Sequence, residues 1–243
     1  MWKNFNMMLA FVCIAGCRSA GPVAAVEDAP RYFPLAAGNT WEYDWTYNNG
    51  VHDTTISHVV TLGYDFVSDG VRWFPTIDVC PAVLDATPLF CAEYARTENK
   101  TFARRVGPIR YFQAETILDF PLFNGKSWTI EDEDTTYVDS GGNRIHSVRF
   151  SRRYVRGVEA WAVPAGLMAA CFHIEDSTRT YYHIDYFDGS SYSSSSAQHA
   201  DEWFAPDAGL VKQIVNSSYS NPAGAHNYRE LFELRSYSVR LGD

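Results

Sequence analysis

Residues 41–50 read Trp41-Glu42-Tyr43-Asp44-Trp45-Thr46-Tyr47-Asn48-Asn49-Gly50, and their alternation decides the fold class. On a strand, successive side chains point to opposite faces, so Trp41, Tyr43, Trp45 and Tyr47 share one face while Glu42, Asp44 and Thr46 share the other. Asn-Gly then turns the chain, the strongest short hairpin signal, and a second strand follows over 52–62.

The same alternation of aromatic or β-branched residues between turn signals recurs along the chain. It predicts strands over 71–79, 93–105, 109–115, 127–131, 144–156, 159–163, 169–176, 180–187, 202–204, 209–219 and 228–239. Turns are expected at Ser68-Asp69-Gly70, Gly107-Pro108, Asp139–Asn143 and Asn221–Gly224. Helical periodicity is nearly absent. The expectation is therefore all-β: a single antiparallel β-domain, either a curved sheet or a partly closed barrel. The polar tract over 188–197, DGSSYSSSSA, reads as an exposed, mobile loop, and its serines lack a nucleophile-elbow context.

The 243 residues include 7 Trp, 15 Tyr and 15 Phe, with 20 Lys+Arg against 29 Asp+Glu. An acidic chain of this kind offers no basic surface for nucleic acid, so none is expected as a partner.

The N-terminus places an apolar run, Met7 to Gly16, after one lysine, Lys3. It has the length of a signal-peptide core and is too short to span a bilayer. Ile14-Ala15-Gly16-Cys17 resembles the lipobox of bacterial lipoproteins, which implies cleavage before Cys17 and lipidation of its sulfur. A plain secretory peptide is the alternative reading. Several acyl chains would hold the protein stably at a membrane, where a single chain binds marginally. The resulting organisation is signal peptide 1–16, lipidated cysteine and linker 17–30, and β-rich envelope domain 31–243. Arg18 stands where enterobacterial sorting uses aspartate for retention, which by resemblance implies the outer membrane, with the body in the periplasm or at the cell surface.

Cys80 and Cys91 bracket ten residues, so in an oxidising compartment they are disulfide candidates; two reduced cysteines are the alternative. Cys171 reads as a small buried residue.

One phrase occurs twice: Phe33-Pro34-Leu35-x-x-Gly38-x-Thr40-Trp41 and Phe120-Pro121-Leu122-x-x-Gly125-x-Ser127-Trp128. Proline fixes the approach, glycine permits positive φ, and tryptophan opens a strand with its ring inward, so the phrase reads as a structural device. The first copy, with Val163-Pro164-Ala165-Gly166 and Trp203-Phe204-Ala205-Pro206-Asp207-Ala208-Gly209-Leu210-Val211-Lys212, resembles motifs of a set of bacterial envelope lipoproteins, some labelled TapB-like. The resemblance implies one β-rich domain and brings no catalytic residues or cofactor.

Two candidate sites remain. If residues 169–176 and 180–187 form a hairpin, Cys171, His173, Glu175, His183 and Asp185 gather on one face, a donor set suited to zinc; an ordinary solvent face is the alternative. The acidic run Glu131–Asp134 lacks calcium-loop spacing. The aromatic load also suggests a ligand pocket lined by Trp41, Tyr43, Trp45 and Trp128. The expected function is a lipid-anchored, non-catalytic cell-envelope protein binding an apolar or amphipathic ligand. A structural or assembly module contacting another envelope protein is the alternative, and a metal-dependent enzyme the third.

Overall fold

The computed structural model describes residues 29–51, 53–77, 92–97, 100–105 and 114–240. Cys17, Cys80 and Cys91 lie outside them.

One helical turn, α1 (Ala29–Tyr32), precedes β1 (Thr40–Asn48) and β2 (Asp53–Thr61). A group of short strands follows: β3 (Phe66–Ser68), β4 (Val71–Pro75), β5 (Ala92–Arg96), β6 (Lys100–Arg105) and β7 (Glu115–Asp119). Six longer ones complete the chain: β8 (Ser127–Val138), β9 (Arg144–Val163), β10 (Gly166–Asp185), β11 (Ser191–Ala205), β12 (Gly209–Asn221) and β13 (Gly224–Ser238). They form an eight-stranded antiparallel sheet, β2-β1-β13-β12-β11-β10-β9-β8, and a five-stranded one, β3-β4-β5-β6-β7. The edges of the large sheet, β2 and β8, are not paired to each other, so it is open. The all-β antiparallel expectation holds, as a sheet that does not close.

Reading across the large sheet, directly opposed residues form rows. One row on the inner face runs Trp45, Phe232, Gln213, Glu202, Ile174, Val155. The next runs Tyr47, Glu230, Val215, Ala200, Asp176, Arg153. Against this face pack Phe74, Tyr94, Ile117 and Leu118 of the small sheet, in one core with Phe172, Phe204 and Leu234. Burying these side chains stabilises by roughly 1.5–3 kcal/mol each.

The following inner row is Tyr228, Ser217, Gln198, Thr178, Ser151, Glu131. Here the small sheet ends and the large sheet continues as a single layer. Most of β8 beyond Glu131, and the upper parts of β10 to β13, are exposed or half-buried.

At the core end, the repeated phrase is a turn device. Asn39 N–H donates to the Ala36 carbonyl (3.1 Å) and Lys126 N–H to that of Phe123 (3.1 Å), with Gly38 and Gly125 at φ of 84° and 88°. Such turns place a glycine where φ is positive. Each glycine N–H ties the turn to a carbonyl elsewhere, Leu62 or Val155. Each tryptophan then anchors by its indole N–H: Trp41 to the Ala208 carbonyl (2.6 Å) and Trp128 to that of Thr116 (2.9 Å). The turn of the Trp203–Lys212 motif is where the first copy lands. Asp207 pairs with Arg31, and Tyr43 donates to the Leu210 carbonyl. The motif residues meet as a joint.

Four expectations are corrected. Residues 93–105 form two strands, turned at Thr97 to Lys100. The tract over 188–197 is a loop only to Ser190; from Ser191 it is β11, paired with β10 on one side and, from Ser195, with β12 on the other. Residues 169–176 and 180–185 belong to one strand, β10, and make no hairpin, Tyr186 and Phe187 lying beyond its end; residues 144–156 and 159–163 are likewise one strand, β9.

Candidate functional site

Because β10 is continuous, ten residues at about 3.3 Å each place His183 some 33 Å from His173. The five residues expected to gather therefore separate. Cys171 is buried, its thiol facing the Met168 carbonyl, and burial pushes it up to about 11, so it stays protonated. His173 and Glu175 stay together on the outer face, away from the small sheet. His183 and Asp185 sit near the sheet's far end.

There His183 Nδ1 lies 2.7 Å from Ser193 Oγ, and Nε2 lies 3.0 Å from Asp185 Oδ1. These residue types form a nucleophile relay in other settings. Here the sheet works against it. Backbone N–H groups of paired strands lie in the sheet plane and are spent on the ladder, so none projects above the face to hold an oxyanion.

Trp41, Tyr43 and Trp45 are buried in the core, Trp45 stacked on Phe232 at 5.9 Å, and Trp128 is half-buried. None of the four lines either open cleft.

Those clefts, of about 570 and 540 Å³, lie along the single-layer part and share Arg179, Ala197, Ser218 and Asn227. They are one trough. These four residues form an outer-face row, with Ser195 and Ser220 in the next. The serine tract thus supplies a floor of small side chains. Val148, Phe150 and Tyr181 stand along one flank, and Asn48, His199 and Arg229 line the core-proximal end.

Below that end the outer face of β11 continues through His199, Asp201 and Trp203. Glu175 is directly opposite Asp201, and His173 opposite Trp203. Asp201 Oδ1 lies 2.7 Å from His173 Nε2, and Asp201 Oδ2 3.5 Å from His199 Nε2. Glu175 Oε1 is 3.8 Å from His199 Nδ1, while its other oxygen pairs with Arg156. Trp203 is stacked between His173 and Trp161, at 4.6 and 4.8 Å. Its indole N–H donates to Glu159, and Lys212 sits over the Trp161 ring. Sequence reasoning missed His199 and Asp201; their signal is the alternation His199-x-Asp201-x-Trp203.

On the inner face Arg153 is buried with Asp176 and Glu202, at 2.9 Å each, and donates to the Ile117 carbonyl of β7 (2.8 Å). Burial opposes its charge, but the two carboxylates hold it firmly protonated; burial pushes Glu202 up, against the pull of Arg153. This network clamps the two sheets.

No family model and no curated protein matches the chain. Two solved structures are similar in outline. One is a candidate lipoprotein from Parabacteroides distasonis, 10% identical, covering 86% of this chain and 98% of that one, with a TM-score of 0.42. The other is a candidate exported protein with a YmcC-like fold from Bacteroides fragilis, 13% identical, covering 86% and 99%, with a TM-score of 0.37. Scores this low carry no residue role, activity or location across. The lipoprotein resemblance of the sequence rests on its own motifs.

Proposed function

We propose that this chain is a lipid-anchored, non-catalytic protein of the bacterial cell envelope whose projecting single-layer sheet binds an amphipathic ligand in the serine-floored trough. The anchor is Cys17, behind a short linker, and an outer-membrane address follows from Arg18. The finer likeness to TapB-like lipoproteins belongs to the same reading.

The observation that carries the binding role is the trough's make-up. Small residues form its floor, Val148, Phe150 and Tyr181 one apolar flank, and Arg179 and Arg229 add positive charge. That pairing of apolar wall and cationic groups suits a molecule with a tail and an anionic head. The alternative, an assembly module contacting another envelope protein, draws support from the same half of the sheet, which leaves both faces open to a partner.

The experiment is native mass spectrometry of the full chain carrying Cys17→Ser, which removes covalent lipid as a source of added mass. The variant is expected in the soluble fraction with a noncovalent lipid-sized adduct, lost when Ala197→Phe fills the trough. Continued membrane retention would count against the anchor. An absent adduct, or one indifferent to Ala197→Phe, would count against the trough and favour the assembly module.

A further inference from the structure

Glu175 and Asp201 face each other directly across the β10–β11 ladder. Like charges at opposed positions destabilise a sheet, so this pair needs a counter-charge. Arg156 supplies one to Glu175. With Glu159 adjoining His173 at 3.4 Å, three carboxylates share one guanidinium.

We propose that Glu175, His199 and Asp201 form a binding site for a divalent transition-metal ion of the zinc type. One imidazole nitrogen and two carboxylate oxygens, all within 4.8 Å of one another, are available here. A tetrahedral zinc with bonds of about 2.0–2.1 Å spaces its ligand atoms by roughly 3.4 Å. His199 Nε2 lies 3.5 Å from Asp201 Oδ2, near that spacing, while the 3.8 Å approach of Glu175 is to the other ring nitrogen, Nδ1; with one nitrogen as ligand the three donor atoms stand within 4.8 Å of one another, and side-chain rotation closes the set.

The surroundings have the form of an outer shell. His173 holds Asp201 through Nε2, and its ring is fixed by stacking on Trp203 while Glu159 approaches Nδ1. Groups that orient ligating carboxylates in this way tune metal affinity. The ion also relieves the opposed carboxylates: two positive charges meet a local excess of two negative ones. Three protein ligands leave a fourth position open. Since His199 lines the core-proximal end of the trough, the site adjoins the trough.

The site is independent of the proposed lipid binding and is tested without it. Full-length protein in detergent, stripped with chelator, is dialysed against micromolar zinc chloride and its metal content measured. About one equivalent per chain is expected. His199→Ala and Asp201→Asn should abolish retention; both positions lie on the outer face, and an unchanged thermal unfolding transition of the stripped variants would show that they fold. His173→Ala should weaken binding roughly ten- to hundredfold. His183→Ala, eight residues or roughly 26 Å along β10 from Glu175, should change nothing. No bound zinc in the parent, or equal retention in His199→Ala and Asp201→Asn, would overturn the proposal.

Discussion

The two halves of the large sheet share strands and ladders yet differ in what covers them. In the core half the inner rows set Trp45, Phe232, Ile174, Val155 and Val215 beside the buried polar residues Gln213, Glu202 and Glu230 and the half-buried Asp176, roofed by the small sheet and clamped by Arg153. In the projecting half the rows turn to Ser, Thr, Gln and Tyr, and both faces meet solvent. The same strand, β10, passes from Phe172 and Ile174, fully buried, to Tyr181, which is 39% exposed. Hydrogen bonding is continuous across that boundary, while apolar burial nearly stops there: among the described residues of the projecting half, Ile145 is the buried apolar side chain. Burial is thereby concentrated at one end of the same strands: the core half holds the register, and the projecting half presents its residues to solvent.

The largest expected effect separates the halves directly. Phe172→Ala should destabilise by about 3–5 kcal/mol, because it leaves a cavity in a packed core. Tyr181→Ala should change stability by less than about 1 kcal/mol. Equal losses in urea unfolding would break the comparison.

The clamp comes next. Arg153→Met strands Glu202 in the core without its partner, and removing one member of a buried ion pair destabilises by about 3–5 kcal/mol. Adding Glu202→Leu should recover a large part of that loss; no recovery would mean that the guanidinium acts mainly through the Ile117 carbonyl.

A smaller effect marks the boundary row. Glu230 is fully buried, and burial pushes its carboxyl up to about 7 from 4.5, partly opposed by the Trp45 indole. A raised carboxyl means the folded state holds its proton longer than the unfolded one. The ionisation penalty is thus absent below about pH 4.5, grows as pH rises and is complete above about pH 7. Glu230→Gln should leave stability nearly unchanged at pH 4 and raise it by up to about 3 kcal/mol at pH 8. A gain independent of pH would show that the carboxylate is not what strains this position.

The contrast also explains what was legible in the sequence. β1 could be read from Trp41 to Tyr47 because one face is core and the other is not, the condition under which alternation appears. Residues Ser177-Thr178-Arg179-Thr180 look like a turn because both of their faces are wet, and alternation vanishes where nothing is buried. The serine tract was obscured for the same reason: its small residues form a floor, a role with no hydrophobic period. The repeated Phe-Pro-Leu phrase was readable as a turn that plants a tryptophan, since glycine and proline act locally. Its landing place on Ala208 was not readable, being set by a contact 167 residues away. His199 and Asp201 fell outside any predicted strand, so their alignment with Glu175 became visible only once register was known.

The central claim is that the projecting half is held mainly by its ladder while the core half is held by burial. Residue-resolved amide hydrogen exchange tests it on single strands. Ladder-bonded amides of β10 near Phe172–Asp176 should exchange only through global unfolding, and those near Tyr181–Ile184 far faster, through local opening. Uniform protection from one end of β10 to the other would contradict the account.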